Sequence, residues 1–180
     1  MKCTSCNNGT LSPAYLEPQL PCHTCSNCGG DFLMLTDFLR WKSNNEIPNS
    51  SIKSCEIKAE ESSKALLCPK TRVLMTKYKI SNDSDHRLDL SPSIDAVWMD
   101  KGEWALLKAK GLANNINLIF TDHWQQDIRS AESTDIMSVL YARKFGDHYS
   151  TLKEFRSVLD KFENRSAALA YLMAKDPYQP

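Results

Sequence analysis

Hydrophobic and polar residues alternate along two short segments in the middle of the chain, as they do in a β-hairpin with one buried face. Segments 73–80 and 86–90 flank a polar turn, 81–85, whose asparagine and aspartates can hydrogen-bond their own backbone. The pattern therefore predicts a hairpin over residues 73–90. The apolar residues between Val97 and Trp104 are expected to add to its core.

A second, less regular hairpin is predicted nearer the N-terminus. Residues 11–24 carry prolines at 13, 18 and 21, and the turn is expected near Pro18. After two glycines, the apolar residues between Phe32 and Trp41 follow a helical spacing, which stops at the polar residues 43–45. The spacing predicts a helix there, followed by a serine- and asparagine-rich linker.

The last third of the chain is predicted to be helical. Amphipathic stripes run over residues 124–140 and 149–162, separated at Gly146, and a final helix is predicted over 166–175. Pro177 cannot continue that helix. Because short amphipathic helices are unstable alone, we expect these three to pack on each other and on the second hairpin.

Four cysteines near the N-terminus stand in two pairs with metal-ligand spacing. Cys3 and Cys6 form one Cys-x-x-Cys pair, and Cys25 and Cys28 form the other. Four thiolates complete a tetrahedral Zn²⁺ shell at about 2.3 Å and leave no position for water or substrate. We therefore predict one structural Zn²⁺ on a hairpin too small to bury its own core, which is the design of a zinc ribbon.

The other cysteines occupy less specific positions. Cys22 precedes Cys25 by three residues, so it could exchange as a ligand or respond to oxidants, but a spare thiol on the hairpin is the preferred interpretation. Cys55 and Cys68 could join His86 in a second metal site, although no partner lies at knuckle spacing. We interpret them as a linker thiol and a vestigial ligand.

The region after the linker aligns with the first ribbon as an internal repeat. The paired positions are Cys3 with Cys68, Cys6 with Thr71, Cys25 with Ser91, Cys28 with Ile94, Phe32 with Trp98, Asp37 with Glu103 and Phe38 with Trp104. The second copy keeps one of four ligands, so it should bind no zinc. Packing is expected to hold it instead, through Leu74, Tyr78, Leu88, Leu90, Ile94, Val97, Trp98 and Trp104.

These patterns predict an α+β protein: a small zinc ribbon, a second metal-free ribbon-like hairpin unit and a C-terminal helical region. We place the zinc ribbon at residues 1–42 and a linker at 43–66. A degenerate ribbon-like unit with its following helix is predicted at 67–120, and a helical region that packs on it at 121–180.

Charge is balanced along the chain, with 22 Lys and Arg against 22 Asp and Glu. This balance gives no overall attraction to nucleic acid or to an anionic membrane. The nearest approach to a basic stripe is Lys70, Arg72, Lys77 and Lys79, for which a solvated strand face is preferred over a nucleic-acid site. The odd number of cysteines and their metal spacing favour a reducing cytoplasm over a secreted disulfide framework.

The N-terminal motif resembles a known family. Cys-x-x-Cys, a hairpin and then Cys-x-x-Cys-Gly-Gly-x-aromatic-Leu is similar to the bacterial transcription-factor zinc-finger family, whose ribbon resembles that of general transcription factor IIB. The second unit keeps the ending, because Val97-Trp98-Met99-Asp100-Lys101-Gly102-Glu103 is similar to the family's Trp-Leu-Asp-x-Gly-Glu. The resemblance implies Cys3, Cys6, Cys25 and Cys28 as zinc ligands.

The functional hypothesis is a noncatalytic zinc protein that presents surfaces to a macromolecular partner. The sequence contains no glycine-rich phosphate loop, no G-x-S-x-G and no H-E-x-x-H. Protein is favoured over nucleic acid as the partner because of the charge balance, and a transcription-associated role is implied only by the resemblance. The alternatives are a nucleic-acid binder that uses the basic second hairpin, and a redox or zinc-responsive switch centred on Cys22.

Overall fold

The computed structural model describes residues 1–45, 47, 57–175 and 178. It divides the chain into two compact units, Met1–Ala131, here called the sheet unit, and Glu132–Pro180, here called the helical unit. Cys55, predicted to be a linker thiol, lies outside the described residues.

The sheet unit is built on a six-stranded antiparallel sheet with the order β1-β2-β3-β6-β5-β4. Its strands are β1 Leu11–Glu17, β2 Leu20–Cys25, β3 Asp31–Met34, β4 Thr76–Ser81, β5 Ser84–Ser91 and β6 Ala96–Met99. The helices of the described chain are α1 Leu35–Lys42, α2 Glu103–Ala109, α3 Ile116–Ile119, α4 Asp122–Phe145, α5 Tyr149–Leu159 and α6 Arg165–Met173. The predicted α+β class is therefore confirmed.

One predicted helix begins later than its hydrophobic spacing indicated. Phe32 and Leu33 lie in β3, and α1 begins only at Leu35. Both side chains are almost fully buried, but they pack in different hydrophobic clusters. A short run that is apolar on both faces fits a central strand as well as a helix, and pairing with β6 selects the strand.

The two faces of the sheet support two separate cores. The helix-side core contains Leu33, Leu88, Val97 and Met99 together with residues of α1, α2 and α3. The knuckle-side core contains Cys3, Leu11, Cys25, Phe32, Leu66, Cys68, Met75, Ala96 and Trp98. Because β3 and β6 alternate between the two cores, the centre of the sheet is buried on both sides.

The two halves of the sheet unit follow the same order of elements, β-β-β-α. They meet at β3 and β6, where Phe32 lies directly opposite Trp98 and the two flanking pairs, Asp31 with Met99 and Leu33 with Val97, are symmetric about that pair. The loops before β1 and β4 also match: the Cys3 N–H donates to the Gly9 carbonyl, and the Cys68 N–H donates to the Val73 carbonyl. Internal duplication stays a prediction, and this shared order and bonding support it.

Residues between the two halves contact the sheet unit where the structure describes them. Ile47 is buried, and its N–H donates to Asn114 Oδ1 at 3.1 Å. Residues 57–66, here called the strap, run along the end of β6. The Glu60 N–H donates to the Lys101 carbonyl at 2.9 Å, and the Ser62 N–H donates to Asp100 Oδ2 at 2.6 Å.

The first turns of α4 belong to the sheet unit. Trp124 Nε1 donates to the Ile80 carbonyl at 3.1 Å, and Gln125 Nε2 donates to the Lys79 carbonyl at 2.9 Å. The helical unit contains the rest of α4 with α5 and α6, and many of its apolar side chains are exposed: Ile136, Met137, Val139, Leu140, Leu152, Phe155, Val158, Phe162, Leu169 and Leu172. None of the described helices combines the length and apolarity needed to cross a membrane.

Candidate metal centre

Two loops at one end of the first hairpin bring the four predicted cysteine ligands together. Cys3 and Cys6 precede β1, while Cys25 ends β2 and Cys28 lies in the turn before β3. Their four sulfur atoms all lie within 4.8 Å of one another. Cys3 Sγ is 3.6 Å from Cys28 Sγ, and Cys6 Sγ is 3.7 Å from Cys25 Sγ.

These separations fit a tetrahedral zinc site. Four sulfurs placed about 2.3 Å from a central Zn²⁺ lie about 3.8 Å from one another, close to the distances found here. A disulfide would require about 2.05 Å, and the cysteines are free thiols. The arrangement therefore suits a cation at the centre and not a covalent cross-link.

Backbone amides aim at the sulfurs from within each loop. The Cys6 N–H donates to Cys3 Sγ at 3.5 Å, and the N–H groups of Asn27 and Cys28 donate to Cys25 Sγ at 3.4 and 3.5 Å. Amide N–H groups are the usual hydrogen-bond partners of metal-bound cysteine sulfur, which they help to orient. Such donors would hold the ligands in place around a bound Zn²⁺.

The thiols differ in their tendency to ionise. Burial raises the pKa values of Cys3 and Cys28, and hydrogen bonds with neighbouring cysteines raise them further. A hydrogen bond from the Asn27 side chain lowers the pKa of Cys6 to about 6. A divalent cation would neutralise the sulfurs and displace the remaining protons, which is the usual coupling between metal binding and thiol ionisation.

Two glycines allow the surrounding chain to pack tightly around the four cysteines. Cys3 and Cys25 are 1% and 3% exposed. A Cβ atom at Gly9 would overlap Cys25 Sγ, and one at Gly30 would overlap the Trp98 ring. The loops therefore approach the sulfurs and the second half of the sheet more closely than any other residue type would allow.

Comparison with known proteins agrees with this geometry. Residues 2–44 match the model of the transcription factor zinc-finger family, whose ribbon is of the transcription factor IIB type. The N-terminal segment is therefore similar in sequence to the zinc ribbon of that family. The match spans about a quarter of the chain, and no curated protein and no solved structure matches the chain.

Cys22 lies apart from the sulfur cluster of the ribbon. Its side chain belongs to the helix-side core, whereas Cys3 and Cys25 belong to the knuckle-side core on the other face of the sheet. Burial raises the pKa of the Cys22 thiol, with a smaller contribution from the charge of Asp31. Cys22 is therefore placed away from the four sulfurs and disfavoured as a thiolate.

Hydroxyl groups lie beside Cys68 in the second half of the sheet, at two of the three positions aligned with the other ribbon ligands. Cys68 belongs to neither group of three or more His, Cys, Asp or Glu side chains that converge within the described residues. Thr71 Oγ1 lies 3.1 Å from Ser93 Oγ, which lies 3.3 Å from Ser91 Oγ. Burial acts to raise the pKa of Cys68, but hydrogen bonds from Ser91 and Thr71 bring it below its ordinary value.

The predicted basic stripe is partly neutralised in the structure. Lys77 Nζ lies 2.8 Å from Oδ2 of the buried Asp89, and Lys79 Nζ lies 3.6 Å from Asp85 Oδ1. Lys70 and Arg72 are exposed in the turn before β4. Of the predicted core residues of this half, Leu74 is instead 57% exposed, because it lies in the loop before β4.

Sequence reasoning missed the residues that support the sulfurs. Gly9 and Asn27 contact the cluster, yet neither is a ligand. The sequence does contain a signal for Gly9, which follows Cys6 by three residues. A glycine there indicates that the loop passes close to another cysteine sulfur, where a side chain would not fit.

Proposed function

We propose that the chain binds one structural Zn²⁺ through Cys3, Cys6, Cys25 and Cys28, and that the folded protein serves as an interaction module for a macromolecular partner. The convergence of the four sulfurs at tetrahedral spacing carries the first half of this proposal. Bound zinc supplies a cross-link between the two loops of the ribbon. A four-thiolate shell has no open position, so the proposed role is structural and not catalytic.

The exposed apolar residues of the helical unit carry the second half. Val139 and Val158 are 68% and 51% exposed, and Phe155 is 42% exposed. Phe155 and Val158 are three residues apart and share one face of α5, and exposed apolar surfaces mark sites of protein contact. A chain with equal numbers of acidic and basic residues has no field to attract a polyanion, so we infer a protein partner. A transcription-associated role follows only from the family of the ribbon.

The partner proposal is tested by quantitative affinity purification from the native host with two matched variants. Val158→Glu places a charge in the apolar surface, and Ser157→Glu places the same charge on the neighbouring exposed residue of α5. We expect a protein that co-purifies with the native chain and Ser157→Glu but not with Val158→Glu, while helical content by circular dichroism is equal in all three. Equal recovery with both variants would contradict the proposal.

Nucleic-acid binding is the competing function, and its test is independent. Binding to oligonucleotides that falls steeply with salt and is weakened by Lys70→Glu and Arg72→Glu would replace the protein-partner proposal. The ion pairs of Lys77 and Lys79 reduce the charge available for such binding. A switch centred on Cys22 is tested by mild peroxide, which should leave zinc content unchanged if our proposal holds.

A further inference from the structure

Three residues far apart in the sequence converge on the helix side of the second half of the sheet. Glu61 comes from the strap, His86 from β5 and Glu103 from the first turn of α2. His86 Nδ1 lies 3.3 Å from Glu61 Oε2 and 3.5 Å from Glu103 Oε1, and one ligand atom of each residue lies within 4.8 Å of the others. This group contains no cysteine and is separate from the ribbon's sulfurs.

The group contains buried polar atoms without hydrogen-bond partners. Glu103 is 2% exposed, and its Oε2 accepts the Asp100 N–H at 2.8 Å. Its Oε1 and His86 Nδ1 are both buried and lie 3.5 Å apart, but neither atom has a partner at good hydrogen-bond geometry. A buried carboxylate oxygen without a donor is costly, and such groups in native structures mark a missing partner such as an ion.

We propose that Glu61, His86 and Glu103 bind a second divalent transition-metal cation, such as Zn²⁺, through one nitrogen and two carboxylate oxygens. Ligands about 2.1 Å from a tetrahedral zinc ion lie about 3.4 Å from one another, which matches both imidazole-to-carboxylate distances. Imidazole and carboxylate together suit this class of cation. Hydrogen-bonding of a protonated imidazole to the two carboxylates is the competing arrangement.

Backbone and side-chain contacts hold the three ligands in position. Glu61 Oε2 also accepts the Arg87 N–H at 2.9 Å, which fixes the strap beside β5. Asp100 accepts the Ser62 N–H through Oδ2 and Trp98 Nε1 through Oδ1, so one carboxylate anchors the strap to β6. Outer contacts of this kind orient metal ligands and strengthen binding.

The side chains of Glu61 and His86 are 27% and 25% exposed, whereas that of Glu103 is 3% exposed. A cation could therefore enter from the side of the strap and retain water there. Bound in this position, it would join the strap to the sheet and to α2. The loop that contains Cys68 keeps only one of four thiolate ligands and does not make such a link. This inference concerns a different site from the four-sulfur centre and does not rest on the proposed partner.

Equilibrium dialysis of the full chain against Zn²⁺, with metal measured by elemental analysis, tests the site. We expect two ions per native chain at saturation, one of which is held more weakly. His86→Ala and Glu103→Gln should each reduce the count to one and leave the tighter ion in place. His123→Ala is the matched control, because His123 is exposed on α4 and pairs with Asp127, and it should bind two ions.

Glu61→Gln tests the site even if the other two variants fail to fold. It should itself fold, because this side chain is partly exposed and the change removes only one charge. It should weaken the second ion at least about tenfold without altering the circular dichroism spectrum. Cobalt provides an independent readout, since the second equivalent should add no thiolate charge-transfer band. A native chain that binds one ion only, or a second ion that persists in both His86→Ala and Glu103→Gln, would overturn the proposal.

Discussion

Gly9→Ala tests how closely the ribbon's loop approaches its metal ligands. The new Cβ would overlap Cys25 Sγ and lie 2.9 Å from Asn27 Cβ and 3.1 Å from the Asn27 backbone nitrogen. Restoring ordinary contact would require a shift on the order of 1 Å. Metal–ligand distances tolerate only about 0.2 Å, so the substitution would displace one sulfur from the zinc shell.

The expected loss of affinity follows from that displacement. Structural zinc sites bind with about 10–16 kcal/mol, shared among four ligands, so misplacing one should cost at least about 2.5 kcal/mol, or on the order of 100-fold in Kd. Competition with a chromophoric chelator measures this ratio. Asn8→Ala is the control, because Asn8 is exposed beside Gly9 and its substitution adds no atom near a sulfur. Zinc affinity in Gly9→Ala within about threefold of the native value would refute the reasoning.

Three further predictions concern the ribbon and its junction with the rest of the sheet unit. Cys25→Ser should release zinc and increase amide exchange at Trp98, since the two residues share the knuckle-side core; unchanged exchange would contradict that coupling. Trp98→Ala should cost about 3–5 kcal/mol in urea unfolding, because the side chain is fully buried, and a loss below about 1 kcal/mol would show that its packing contributes little. Glu17→Gln should cost about 1–3 kcal/mol at neutral pH, because Trp104 Nε1 and Lys108 Nζ both donate to Glu17 Oε1 at 2.8 and 2.7 Å. Burial acts to raise the pKa of Glu17, but those two donors hold it below its ordinary value. Its contribution should therefore be present above the unfolded pKa and lost as pH falls through the folded pKa. Native and Glu17→Gln proteins whose stability difference persists below the folded pKa would contradict that sign.

The ribbon was predictable because its determinants are local. Cys3 with Cys6, and Cys25 with Cys28, each fit one turn, so sequence spacing alone indicates the chemistry. The α4 and α5 helices were also predictable, since their apolar residues recur at helical spacing, imperfectly in α4 and cleanly in α5. The strand at residues 31–34 was not, because it pairs with β2 at only two positions and with β6, more than 60 residues away, at four.

The group formed by Glu61, His86 and Glu103 shows the same limit. The sequence drew attention to His86 only as a possible companion of cysteines, and to Glu103 only as part of the repeat and its family-like ending. Their convergence depends on the strap lying beside β5 and on α2 starting where β6 ends. Neither contact leaves a periodic pattern or a fixed spacing in the chain.

X-ray absorption at the zinc edge tests the central claim most directly, and His86→Ala protein should be used so that the proposed second site does not contribute. We predict one zinc per chain, surrounded by four sulfur atoms at about 2.3 Å and by no nitrogen or oxygen. Zinc absent from the protein, or bound by fewer than four sulfurs, would contradict the four-cysteine centre.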